Sequence, residues 1–264
     1  MFSISSLLVT ALGAVAMAQA DVPVGIWISN MIAWPAAMGA AIVLARGGWL
    51  GSWLPPVALV VVALSFVGPE QEGVHRWLGF NQIQFNAAAL VLPAAIVAFD
   101  RTRAVVAGPS FVVIAALLAW QPDLSQLAGF ALAATILATA RFGWPGLVAA
   151  LVLTTAAIAA CLSRPDPLDA VPYVERIFAL AVDQSPVLAL AMGLSLTAAV
   201  LSPLIVWPTH PFCRATPVAL SAYFAATAIA PMFGAFPVPL AGYGVSFVIG
   251  WGLGFAGLVP CRKK

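Results

Sequence analysis

Long apolar runs alternate with short polar gaps along the whole chain, at 3–20, 25–45, 50–68, 84–99, 104–120, 125–140, 144–162, within 175–206, 215–233 and 238–259. Each run approaches the roughly 20 residues that cross about 30 Å of hydrocarbon as a helix. Lipid satisfies no open strand edge, so the runs are expected to be helical. The pattern predicts an all-α, polytopic integral membrane bundle of about ten transmembrane helices. One run is too long for a single crossing. From Glu175 to Trp207 a continuous helix would extend about 50 Å, so part of it must lie outside the hydrocarbon, tilt, or line a wet cleft.

Composition agrees. With 63% hydrophobic and 8% charged residues, the chain lies far from soluble domains, in which about a quarter of residues are charged. If the N-terminus starts inside, Arg46, Arg101, Arg103, Arg141, Arg214, Arg262, Lys263 and Lys264 fall in inner gaps, and Arg76, Arg164 and Arg176 fall outside. That is the positive-inside bias, and it puts the C-terminus in the cytoplasm. Most acids fall on the outer side: Asp21, Glu70, Glu72, Asp123, Asp166, Asp169 and Glu175. Asp183 stands apart, within an apolar run.

Residues 1–20 read as the first span, or as a signal peptide ending at Ala18-Gln19-Ala20 that lacks a basic n-region. No linker or internal repeat divides the chain, so a single transmembrane domain over 1–264 is expected. A net charge of +2 with scattered basic residues gives no nucleic-acid footprint, whereas anionic membrane lipid suits the inner face.

Cys161, Cys213 and Cys261 are far apart and predict neither a disulfide framework nor a zinc site. His210 and Cys213 are spaced like two ligands, but Pro211 favours a turn and no further ligands follow. Trp49, Trp53, Trp77, Trp120, Trp144 and Trp207 at span ends suit interfacial anchoring. Gly250, Gly252 and Gly254 give the last span a face on which another helix can approach closely.

Four outer stretches carry more chemistry. The first is Gly73-Val74-His75-Arg76-Trp77, with Gln82-Ile83-Gln84 after it; an Arg beside a Trp suits headgroup depth. In Gln121-Pro122-Asp123-Leu124-Ser125-Gln126, Asp123 and Gln126 have the spacing of a capping box. The third, Tyr173 to Gln184, holds Glu175 and Asp183, which on one helix would border one cavity. An ionisable group inside a span is a functional candidate by default. The fourth, Phe236-Pro237-Val238-Pro239-Leu240-Ala241-Gly242-Tyr243-Gly244-Val245-Ser246, describes an irregular entry into the last helix, tolerated at membrane depth only where protein or water covers it.

In this order the four stretches resemble motifs of the SEDS family, the RodA/FtsW/SpoVE shape, elongation, division and sporulation proteins. That family shows G-A-x-R-W, Q-P-S-E-F-x-K, Q-P-D-L-G-T, H-T-D-F-I-F-A with E-E-L-G, and G-I-P-L-P-F-I-S-Y-G-G-S. Here the similar segments are G-V-H-R-W at 73–77, Q-F-N-A at 84–87, Q-P-D-L-S-Q at 121–126, Y-V-E-R-I-F-A at 173–179 and A-F-P-V-P-L-A-G-Y-G-V-S at 235–246. The resemblance implies a multi-pass protein of the bacterial cytoplasmic membrane that works in peptidoglycan synthesis, cell shape or division. Its substrate would be a lipid-linked disaccharide precursor, and its partner a single-pass transpeptidase or another membrane protein.

By the same resemblance Glu175 takes the place of the family's catalytic carboxylate, and Arg76, Trp77, Asp123, Asp183 and Tyr243 are candidate substrate-binding residues, with Arg76 facing the anionic precursor. A divalent cation, Mg or Mn, is implied if the chain catalyses transfer; no protein metal site is expected. The chain departs from the family at Ala87 and Leu90, which replace a Glu and a Lys, and at Asp183-Gln184-Ser185-Pro186, which keeps one acid of two. The outer connection from about Ser163 to Val174 is short, with little room for a sugar-binding wall. Three readings stay open: a divergent, non-catalytic SEDS-like protein that binds a partner or the lipid carrier, an active peptidoglycan glycosyltransferase with Glu175 as base, and a lipid flippase or transporter.

Overall fold

The computed structural model describes residues 1–47, 51–80, 83–206 and 214–258. Trp49, Gln82, Trp207, the His210 and Cys213 pair, Cys261, Arg262, Lys263 and Lys264 lie outside the described residues. The helices are α1 (Phe2–Gln19), α2 (Val24–Gly47), α3 (Leu54–Leu64), α4 (Ala87–Phe99), α5 (Ala104–Trp120), α6 (Leu124–Phe142), α7 (Trp144–Leu162), α8 (Ile177–Gln184), α9 (Pro186–Ile205), α10 (Ala215–Ile229) and α11 (Val245–Leu258). The protein is an all-α polytopic bundle, as the apolar runs predict. Among the described residues six helices are long and apolar enough to cross a membrane: α1, α2, α6, α7, α9, and α10 with its extension to Met232. The segments containing α3, α4, α5 and α11 are shorter apolar helices of 10–17 residues.

Two local features differ from the sequence reading. The run expected as helix from position 84 starts as strand: β1 (Trp77–Phe80) pairs antiparallel with β2 (Ile83–Asn86), in the register Trp77 opposite Asn86. A hairpin can form here because it stands at the end of the bundle, where Asn86 also caps α4 by accepting the Ala89 N–H at 2.8 Å. The overlong run is broken in two. Ser185, held extended at φ −166° and ψ 124° before Pro186, separates the short α8 from α9, because a residue preceding proline is pushed out of the helical region.

The core lies where α4, α6, α10 and α11 meet. Trp251 stacks on Phe224 with ring centroids 3.8 Å apart, and Phe130 packs between Phe99 and Phe111. The glycine face of α11 has the packing role its spacing suggests. A Cβ on Gly250 would overlap the Ala89 carbonyl oxygen, and one on Gly254 would press on Pro93 at 2.6 Å. That close approach fixes α11 against α4 and so fixes the loop that leads into α11 against the hairpin that leads into α4.

Candidate functional site

At the end of the bundle that carries the hairpin, connections 65–76, 121–123, 163–176 and 230–244 converge around a cleft of about 270 Å³. Its assembly begins with Asp123. Its Oδ1 accepts the Gln126 N–H at 3.2 Å and caps α6, as the capping spacing suggests. Gln126 does not complete the reciprocal box; its Oε1 instead accepts the Tyr223 hydroxyl.

Arg76 reaches this turn from the residue before β1. Its Nη2 donates to the Pro122 carbonyl at 2.6 Å and to Asp166 Oδ2 at 2.7 Å, and its Nε donates to the Gln121 carbonyl at 3.3 Å. The Nε also lies 3.7 Å from Asp123 Oδ2. The side chains of Arg76 and Asp123 are each 4% exposed and that of Asp166 is 12% exposed. One guanidinium therefore holds three connections together. It lines the cleft, where the sequence reading gave it an anionic precursor to face, and within the protein it is engaged by two carboxylates and two carbonyls.

Glu175 enters from the connection after α7. Its Oε2 accepts the Val171 N–H at 2.7 Å, closing a turn that leaves the carboxylate half-buried in the cleft wall. Burial raises its pKa above the ordinary 4.5, and the Val171 hydrogen bond and the nearby Arg76 offset this only in part. Short as it is, this connection builds a wall with Leu168, Val171 and Val174. It can do so because it is laid against the loop before α11: Val238 N–H donates to the Val174 carbonyl at 3.1 Å and Tyr243 N–H to the Tyr173 carbonyl at 2.9 Å. A Cβ at Gly242 would collide with the Val174 carbonyl, so this contact requires glycine.

Tyr243 is set from the other side by Asn30 of α2. That amide, 1% exposed, donates to the Gly242 carbonyl at 2.8 Å and accepts the Gly244 N–H at 3.2 Å, clamping the peptides on both sides of Tyr243. Trp77, Gln84 and Asn86 from the hairpin line the cleft as well, and Asn86 N–H donates to Ser246 Oγ at 2.8 Å.

Arg76, Trp77, Asp123, Glu175 and Tyr243 thus line one cleft although they lie far apart in sequence. Asp183 does not join them. Ile177 and Ala181, one turn apart, are the buried face of α8, and Asp183 falls on the exposed side. Sequence reasoning gave no site role to Asp166, Asn30, Ser125, Asn86 or Ser246. A lone amide inside a long apolar run was the available signal for Asn30. Among the described residues no group of three or more His, Cys, Asp or Glu could hold a metal ion; the acids near the cleft are spent on Arg76 and on backbone N–H groups. The described residues around the cleft do not form a cation site of their own.

No protein-family model matches the chain, and no curated protein matches it in sequence. Solved structures do match it in fold. It is similar to the rod shape determining protein RodA of Thermus thermophilus, with a TM-score of 0.70 and 16% identity, over 99% of this chain and 96% of that one. An aspartate-to-alanine mutant of that protein aligns at TM-score 0.69 and 15% identity, with the same coverage of both chains. A chain from a structure described as a peptidoglycan synthase complex that coordinates polymerization and crosslinking aligns at TM-score 0.73 and 17% identity, over 100% of this chain and 98% of that one. The chain has the SEDS fold, and the motif resemblance and the architecture agree.

Proposed function

We propose that this chain is a SEDS-type membrane protein of peptidoglycan synthesis that seats the saccharide end of a lipid-linked precursor in the cleft, at the outer membrane face. The observation that carries the proposal is the convergence of four separate stretches on one hollow, within a fold shared with RodA. Trp77 and Tyr243 supply aromatic faces, and Gln84, Asn86 and Gln126 supply amides, a set that suits a sugar. Partnership with a single-pass transpeptidase draws support from the neighbour described as a synthase complex.

Glu175 is the residue we assign to the reaction, because it is the carboxylate of the cleft that Arg76 does not contact within ion-pair distance. In its ionised form it takes the proton of an attacking sugar hydroxyl. That oxygen bonds to the anomeric carbon of the neighbouring lipid-linked sugar as the bond to pyrophosphate breaks, and the lipid pyrophosphate leaves with the electron pair. General-base assistance of this kind contributes about 10²- to 10⁴-fold. A flippase or transporter needs polar groups within several spans, and Asp183, the acid inside an apolar run, falls on the exposed side of α8.

The test is polymer formation by the purified full chain in lipid vesicles, given lipid-linked disaccharide precursor and Mg or Mn, with and without a co-expressed single-pass transpeptidase. Polymer that falls at least about 10²-fold in Glu175→Gln is the expected result. Equal polymer in that variant removes Glu175 as base. Precursor binding without polymer under any condition leaves the non-catalytic reading, and no precursor binding removes the function altogether.

A further inference from the structure

Three buried side-chain atoms among the described residues have no hydrogen-bond partner: His75 Nδ1, Ser125 Oγ and Trp251 Nε1. Of these residues, Ser125 alone lines the cleft. It is 1% exposed and stands in the first turn of α6, two residues after the capping Asp123. A buried hydroxyl is costly to leave unpaired, since folding strips away its water and returns nothing. A residue that carries this cost in a ligand-sized hollow is poised to recover the lost bond from whatever fills the hollow.

The chemistry around it says which part of a lipid-linked saccharide that is. Among the described residues the one cation of the cleft lining, Arg76, is bonded to Asp166 and flanked by Asp123, while Glu175 adds a further carboxylate. The hollow offers a pyrophosphate acids and no uncommitted cation, whereas sugar hydroxyl and acetamido groups find carboxylates, amides and hydroxyls to bond with. We propose that Ser125 is a ligand-binding residue whose hydroxyl bonds a sugar hydroxyl or acetamido group in the cleft, with the pyrophosphate held outside the hollow. The inference rests on the saccharide-binding reading given above and names a contact that reading does not require.

The experiment is direct binding of the lipid-linked disaccharide precursor, and separately of a prenyl pyrophosphate without sugar, to the full chain in lipid nanodiscs. Wild type, Ser125→Ala and Ser125→Gly are compared, each with thermal unfolding recorded. Loss of one hydrogen bond to ligand weakens precursor binding about 5- to 20-fold in both variants. Binding of the sugar-free lipid is equal in all three, and the unfolding temperature of Ser125→Ala stays level or rises, since an unpaired hydroxyl has been removed. Wild-type precursor affinity in both variants overturns the role of Ser125 and leaves the saccharide reading standing. A lowered unfolding temperature with equal affinity assigns the hydroxyl to structure and also overturns it. Equal weakening toward the sugar-free lipid overturns the placing of the pyrophosphate. Failure of the wild type to bind the precursor overturns both the contact and the function it rests on.

Discussion

At the hairpin end a hollow of about 270 Å³ is walled by Arg76, Asp123, Glu175, Ser125 and the amides of Gln71, Gln84, Asn86 and Gln126, while at the opposite end α5, α6 and α7 enclose about 300 Å³ walled by Phe99, Phe111, Leu137 and Leu153. In the second hollow only Asp100 and Arg141 carry charge, and both sit in ordinary end-of-helix roles. Asp100 accepts the Thr216 hydroxyl at 3.3 Å, and Arg141 donates to the Thr102 carbonyl at 2.6 Å at the C-terminal end of α4. Size does not separate the two hollows; the burial of their polar groups does. Arg141 is exposed and Arg76 is not. A membrane bundle needs apolar packing at every level, but a buried, cross-linked charge group at one end serves to hold loops in a fixed place, and fixed loops are what a site needs.

The largest effect that can test this contrast comes from removing the buried cation. Arg76→Ala leaves Asp166 and Asp123 without their counter-charge and frees the carbonyls of Gln121 and Pro122. Breaking a buried pair in this way costs about 3–5 kcal/mol. Arg141→Ala, at the exposed site, costs about 1 kcal/mol or less. Thermal unfolding of both variants in one detergent measures the difference, and equal losses would erase the distinction between the two ends.

How much of this could be read from the sequence depends on the range of the interaction. The helices were legible because each is a continuous apolar run, so the starts of α5, α6, α7 and α10 fall within a residue of expectation. The hairpin was not, since four-residue strands of Trp77–Phe80 and Ile83–Asn86 leave too little periodicity to stand out beside apolar helices. Within the site, Arg76, Trp77, Asp123, Glu175 and Tyr243 came from ordered motifs. Their partners did not: Asp166 and Asn30 act through contacts with residues distant in sequence, and the lone amide of Asn30 in an apolar run marks the residue without showing what it meets. Asp183 was misplaced because helical phase was read from Glu175, whereas α8 starts only at Ile177 and Glu175 lies in the turn before it, bonded to Val171.

A middle-sized effect follows from Asn30. Asn30→Leu keeps the apolar character of α2 and removes both bonds that flank Tyr243, leaving the Gly242 carbonyl and Gly244 N–H unpaired, at a cost of about 1–3 kcal/mol. At the opposite end Thr216→Val removes one side-chain bond to Asp100 and costs about 1 kcal/mol or less. The sharper readout is affinity: Asn30→Leu weakens precursor binding because Tyr243 loses its clamp, and Thr216→Val leaves it unchanged. A Thr216→Val variant that weakened binding as much would mean that the site is not confined to the hairpin end.

The smallest effect is on pH dependence, where the two ends share a direction and part in consequence. Burial raises the pKa of Glu175 above 4.5 and that of Asp100 above 3.8. In each case the folded state keeps its proton at a pH where the unfolded chain has lost it. The stabilising contribution is therefore complete below the ordinary value and fades as pH rises through the raised one. Activity runs the other way, because a general base works only after the proton has left. Polymer formation is thus expected to rise with pH along an acid limb displaced above the ordinary glutamate value. Glu175→Gln abolishes that limb together with most of the rate, and Asp100→Asn leaves it where it was. A limb that moved with Asp100→Asn would transfer the titration to the apolar end and break the assignment of chemistry to the cleft.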